Sequence, residues 1–243
     1  MEAVWDRAIG SVTLTPGRPR VPLLPVKITY YLEVISSWCH WSEPAWAELK
    51  ARYAGKVDFQ WKVALMLPGD YPVSRAQCEW FYRRSGTIMR SPYMLNPDWL
   101  VLGKGDSFDN PSLVAEAGKD FGVTDDTIRL ALAKAAIFDG MKVAQMAVSA
   151  AIGAKAAGIP VKKLKARAVS SAVRARAEAS TAEFFSHRIN QRPAFIIEDA
   201  IGDKVVFSGL ARVEPIAAAI EAMLADTAAY KSYAAHFGTV PSK

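Results

Sequence analysis

Between Lys27 and Leu65 the apolar residues change their spacing twice, and this change restricts the fold more than any other feature of the chain. Lys27 to Val34 is a run of β-branched, aromatic and aliphatic residues, the composition of a central strand. Ser36 and Ser37 interrupt it. From Cys39 the apolar positions Trp46, Leu49 and Tyr53 take helical spacing until Gly55 stops the pattern. Val57 to Leu65 returns to strand character, with Val57, Phe59, Trp61 and Val63 alternating with polar residues. Strand, helix and strand in this order form a βαβ unit whose two strands run parallel.

From Ser74 to Phe185 the pattern is helical, apart from an irregular Ser85–Asn110 stretch rich in proline, glycine and aromatics. Asn110-Pro111 suits an N-cap followed by proline, Gly122 suits a stop, and Thr124 suits the next N-cap. A helix over Met141–Ala157 should follow, and beyond Gly158 and Pro160 a single long basic one. Ala194–Glu198 and Lys204–Ser208 read as strands joined at Gly202-Asp203, and Val213–Leu224 as a closing helix. The order βαβ, helical insert, ββα predicts an α/β thioredoxin fold with a large helical insertion. Residues 26–73 and 186–226 would form the two halves of the core and residues 74–185 the insertion. Residues 1–25 would be an N-terminal extension and residues 227–243 a tail.

Apolar residues make up 51% of the 243 and charged residues 22%, the balance of a folded chain and not a disordered one. The leader carries Glu2 and Asp6 and prolines at 16, 19, 22 and 25, without the apolar stretch of a signal peptide. No apolar run reaches the roughly 18 residues of a membrane span. A cytoplasmic protein with no membrane association is expected. The net charge of +6 comes from Lys155–Arg192, which holds nine Lys or Arg against Glu178 and Glu183. With no nucleic-acid motif beside them, these residues read as the wet face of an amphipathic helix, and no nucleic-acid partner is expected. His187, His236 and the two cysteines lack metal-ligand spacing, so neither a metal nor a tightly bound cofactor is expected.

Two cysteines are too few for a disulfide framework, which turns attention to their chemistry. Cys39 falls where the first strand passes into a helix. There, unpaired backbone N–H groups and the positive end of the helix dipole favour thiolate over thiol. His40 would add positive charge, and Ser42, one turn along, a hydroxyl donor to the sulfur. The competing reading is a buried, inert cysteine used as a small apolar residue. Six of the seven tryptophans fall between Trp38 and Trp99, which suits either an aromatic pocket or the packed junction of two lobes.

Two separated motifs, Ser37-Trp38-Cys39-His40-Trp41-Ser42 and Arg192-Pro193-Ala194-Phe195, resemble the active-site segment and the cis-proline segment of thioredoxin-like proteins. With the long helical insert, the chain from about residue 26 to 226 resembles the DsbA-like oxidoreductases. Their relatives include kappa-class glutathione transferases and 2-hydroxychromene-2-carboxylate isomerases. Phe207-Ser208-Gly209-Leu210-Ala211-Arg212 is similar to a kappa-class pattern near glutathione, with Ala211 where an acid is usual. The resemblance implies catalysis by Cys39 tuned by His40 and Ser42, with substrate held by Trp38, Trp41, Arg192 and Pro193. The second reactant would be a small-molecule thiol or disulfide, or a protein thiol, with glutathione as a co-substrate; the sequence leaves a homodimer open.

Serine at position 42 replaces the usual resolving cysteine, so release of a mixed disulfide needs an outside thiol or Cys78, the only internal candidate. Cys78 also suits a purely structural place beside Trp80 and Phe81. Two other functions stay open: a kappa-type transferase or isomerase acting on a small aromatic compound, where Ser42 or Ser37 would matter more, and a non-catalytic binding protein.

Overall fold

The computed structural model describes residues 2–6, 11–15, 25–209 and 212–238. Near the start, β1 (Glu2–Asp6) and β2 (Ser11–Thr15) pair antiparallel. The main sheet contains β3 (Val26–Leu32), β4 (Val57–Val63), β5 (Ala194–Asp199) and β6 (Lys204–Ser208) in the order β4-β3-β5-β6. β3 and β4 are parallel, linked by helix α1 (Ser37–Arg52), while β5 is antiparallel to both β3 and β6. Leu32 pairs with Val63 and Tyr31 with Ala194, so α1 starts at the pole of the sheet where β5 begins.

From Ile28 to Leu32, β3 is buried on both sides because both faces of the sheet are covered. On one face Tyr30 stacks on Phe195 and packs against Trp46 of α1, beside α8 (Val213–Phe237). On the other, Tyr31, Ala194 and Ile196 pack against Phe184. Phe184 belongs to the last of six helices between β4 and β5: α2 (Arg75–Ile88), α3 (Asn110–Gly118), α4 (Thr127–Ile137), α5 (Met146–Ala157), α6 (Val161–Ala168) and α7 (Ser171–Ser186). One apolar core runs from the sheet into this insert through Leu113, Val114, Ile128, Leu132, Leu164 and Val173. Among the described residues no helix is long and apolar enough to cross a membrane.

Several helix boundaries differ from the sequence expectation for local reasons. Asn110 is the first residue of α3 and not its cap, because its side chain is buried and donates to Ala144 O at 2.6 Å. Thr124 does not cap α4; its carbonyl accepts from Trp61 Nε1 at 2.9 Å, and the helix starts at Thr127. Residues 141–145 precede α5 without helix. The single basic helix is two, broken where Ser170 caps α7 through Val173 N. Its arginines are paired, Arg167 and Arg176 with Asp120, Arg176 also with Glu116, and Arg174 with Asp109, while Lys162, Lys163 and Lys165 are exposed. The closing helix continues to Phe237, beyond the predicted Leu224.

α1 is tied to the insert by a buried ionic cluster. Arg129 of α4 holds Glu43 at 2.5 Å and Asp126 at 2.7 Å, while Lys50 and Trp46 Nε1 also reach Asp126. Burying Arg129 is tolerable only with both carboxylates present. Replacing Arg129 with Met should therefore cost on the order of 3–5 kcal/mol in urea unfolding, because Glu43 loses its charged partner. Adding Glu43→Gln to that variant should restore part of the loss.

Candidate functional site

Ser36 ends the extended chain (φ −76°, ψ 126°) and caps α1, its Oγ accepting from Cys39 N at 3.4 Å. Cys39 thus occupies the first turn, 2% exposed, beneath the residues that open to solvent. Ser36, Ser37 and Trp38 line a cavity of about 360 Å³ whose other walls include Cys78, Phe81 and Tyr82 of α2, Tyr71, and Arg192. Cys39 and Cys78 are both free thiols. The Arg192–Pro193 peptide bond is cis and leads into β5 at the same pole.

Burial dominates the electrostatics. It pushes the Cys39 thiol up to about 12, outweighing the hydrogen bonds from the Glu33 backbone and Ser36 that favour thiolate. The depressed thiolate pKa expected from the motif is therefore not found in the resting site. Nor does His40 supply charge: burial lowers it to about 4, leaving a neutral ring whose Nε2 lies 3.2 Å from Tyr93 Oη, packed among Trp41, Tyr93 and Phe138. Ser42 is also turned away from the role expected of it. Its Oγ donates to Cys39 O at 2.7 Å and sits 2.6 Å from Tyr30 Oη, so the hydroxyl fixes the backbone of the turn.

The remaining expected residues divide by what they touch. Trp38 lines the cavity, whereas Trp41 faces α2 and donates from Nε1 to Ser85 Oγ at 3.0 Å. Arg192 borders the cavity but spends its donors on the end of β4, with Nε on Ala64 O and Nη2 on Leu65 O, both at 2.5 Å. Trp46, Trp61 and Trp99 are buried in packing, and Trp80 is exposed, so Trp38 and Trp99 are the tryptophans at the cavity. Leu210 and Ala211 of the kappa-like pattern lie outside the described residues. A larger cavity of about 950 Å³, between the loop after β4, residues 100–109 and α7, is bordered by neither cysteine.

Glu33, read from the sequence only as part of a strand, is fully buried just past β3. Its Oε1 accepts from Val34 N at 3.0 Å and Ser112 Oγ at 2.6 Å, and Oε2 has no partner among the described residues. Burial raises its pKa to about 7, so this carboxyl exchanges its proton near neutrality within the electrostatic reach of Cys39. The signal was a lone acid inside the run Tyr30-Tyr31-Leu32-Glu33-Val34-Ile35.

No protein-family model matches this sequence, and no curated protein matches it. Solved structures do match. The cytosolic disulfide reductase DsbM from Pseudomonas aeruginosa superposes with a TM-score of 0.65 at 18% identity, covering 82% of this chain and 98% of that one. The same protein with GSH gives 0.63 at 16% identity, covering 82% and 99%. The oxidoreductase NmDsbA1 from N. meningitidis gives 0.54 at 13% identity, covering 88% and 90%. The chain has a DsbA-like thioredoxin fold.

Within this DsbA-like frame, the buried carboxyl gives a pH test. Its folded pKa of about 7 lies above the ordinary 4.5, so its contribution to stability is full below about 4.5 and is lost as pH rises through 7. Compared with Glu33→Gln in urea unfolding, the wild type should lose about 3 kcal/mol of relative stability between pH 4.5 and 7.5 and change little above that. The thiol gives a second test. With its pKa raised to about 12, alkylation of Cys39 by iodoacetamide should climb about tenfold per pH unit from 7 to 9 without a plateau.

Proposed function

We propose that this protein is a thiol–disulfide oxidoreductase acting through Cys39 as a single thiol in a Cys-x-x-Ser centre, with glutathione as co-substrate. The observation that carries this reading is the place of Cys39 in the first turn of α1, directly behind the cavity lined by Ser36, Ser37 and Trp38. Further support comes from the DsbA-like fold and from the description of DsbM as a cytosolic disulfide reductase, solved also with GSH. A cytoplasmic setting, where glutathione is the abundant thiol, fits the same reading.

A thiol whose pKa is near 12 is ionised to only about one part in 10⁵ at pH 7. Exchange therefore begins when an entering disulfide or opening of the cavity hydrates the sulfur and lets its proton leave to water. The thiolate attacks one sulfur of the incoming disulfide, the other leaves as a thiolate, and a mixed disulfide remains on Cys39. Ser42 has no sulfur to attack it, so the thiol that releases the product comes from outside the Cys-x-x-Ser motif.

A second reading, activation of glutathione toward a small aromatic acceptor, has one observation in its favour: Ser37 lines the cavity and Cys39 does not. Glutathione-dependent reduction of 2-hydroxyethyl disulfide separates the two. Cys39→Ser should lower the rate on the order of a hundredfold or more, to background, while Ser37→Ala should leave most of it. Retention of activity in Cys39→Ser, with loss in Ser37→Ala, would overturn the thiol reading.

A further inference from the structure

The thiol reading leaves Cys78 unused, although Cys78, and not Cys39, forms part of the cavity wall. It occupies the first turn of α2, capped by Ser74, much as Cys39 occupies the first turn of α1, capped by Ser36. Two helix N-terminal turns, each bearing a free cysteine, thus border one cavity. Tyr71 also lines it, more than nine-tenths buried, with a hydroxyl that has no partner among the described residues. This is an unused hydrogen-bonding group in the wall where a bound thiol compound would lie. Behind Cys78, Trp99 Nε1 donates to Tyr82 Oη at 2.6 Å, and Trp41 Nε1 anchors α2 to α1 at Ser85, 3.0 Å away. Residues 73–77, by contrast, are exposed, so the turn carrying Cys78 has solvent on its outer side.

Resting on the proposed exchange at Cys39, we propose that Cys78 is the resolving thiol, which closes a Cys39–Cys78 disulfide across this cavity. Oxidised glutathione first reacts with Cys39, forming the Cys39–glutathione disulfide and releasing one glutathione thiolate. The Cys78 thiolate then attacks Cys39 Sγ, the sulfur–sulfur bond to glutathione breaks, and the second glutathione leaves, taking the proton given up by Cys78. Two protein thiols lose two electrons in total, and one oxidised glutathione becomes two reduced glutathiones. The bridge requires the two Cα atoms to approach within about 7 Å.

Reduced protein treated with stoichiometric oxidised glutathione, quenched in acid at intervals and weighed intact, tests this. Wild type should pass through a one-glutathione adduct to a form lacking two hydrogens and no glutathione, with residues 39 and 78 in one disulfide-linked peptide after digestion. Cys78→Ser should hold the Cys39 adduct about tenfold longer at roughly 0.1 mM free glutathione, since a tethered thiol acts at an effective concentration in the millimolar range. Cys78→Ala should behave likewise, and circular dichroism of both variants checks folding. Equal adduct lifetimes in wild type and both variants, with no linked peptide, would overturn the role of Cys78 while leaving exchange at Cys39 intact. Absence of any adduct on Cys39 would overturn both.

Discussion

The hydroxyl of Tyr30, placed by the middle of β3 beneath the first turn of α1, is the point on which the site depends. It lies 3.1 Å from Cys39 O, 2.6 Å from Ser42 Oγ and 3.1 Å from Glu43 Oε1. Two hydroxyl hydrogens, from Tyr30 and Ser42, serve these oxygens, and Glu43 carries the connection on to Arg129 and the insert. The turn that presents Cys39 is therefore held from below by the sheet and from the side by α4. In such a buried network each missing partner leaves an unsatisfied group, so a small change at Tyr30 or Ser42 would propagate to the sulfur. Serine at position 42 thus has a structural use that a cysteine there could not fully replace, because a thiol is a weaker donor to Cys39 O.

Two opposed effects set the state of Cys39. A helix N-terminus lowers the cost of negative charge by about 0.3–1 kcal/mol at a surface and up to about 2 in partly buried geometries, or at most about one and a half pKa units. Burial raises the thiol from 9 to about 12, a larger effect in the opposite direction. The same burial holds His40 neutral, removing the cation that would have helped. Desolvation therefore outweighs the helix terminus. A resting thiol protected in this way is slow to react with whatever cannot enter the cavity, and selectivity shifts from thiol acidity to access.

The chain order was legible because it rests on periodicity: Val57, Phe59, Trp61 and Val63 alternate as a strand must, and the break at Ser36-Ser37 falls where α1 begins. Lys204–Ser208 was readable to the residue. Caps were harder, since Asn110 and Thr124 have good cap chemistry but are claimed by distant partners, Ala144 O and Trp61 Nε1. The position of Cys39 at a helix start was readable in the same way. Its acidity was not, because the motif names the local donors but not the depth at which the fold sets them. Glu33 escaped notice because one acid in an apolar run becomes informative only once both sheet faces are known to be covered. Cys78 reaches the cavity wall through the packing of α2 on α1, a contact between Trp41 and Ser85 separated by 44 residues, and no local pattern encodes that.

The helical insert therefore does more than cover the sheet. Its first helix supplies the wall opposite Ser36–Trp38, while Ser112 of α3 accepts the task of donating to Glu33, and α4 holds Glu43 through Arg129. Three separate helices thus set the solvent access, the proton affinity and the backbone rigidity around one thiol. A bare thioredoxin core would expose the first turn of α1 and give the helix terminus its full influence over the sulfur. By closing α2 across that turn, this chain exchanges intrinsic thiol acidity for control over what reaches Cys39. Under the proposed exchange, Trp38, Tyr71 and Cys78 of the cavity wall are then the residues that an entering disulfide meets.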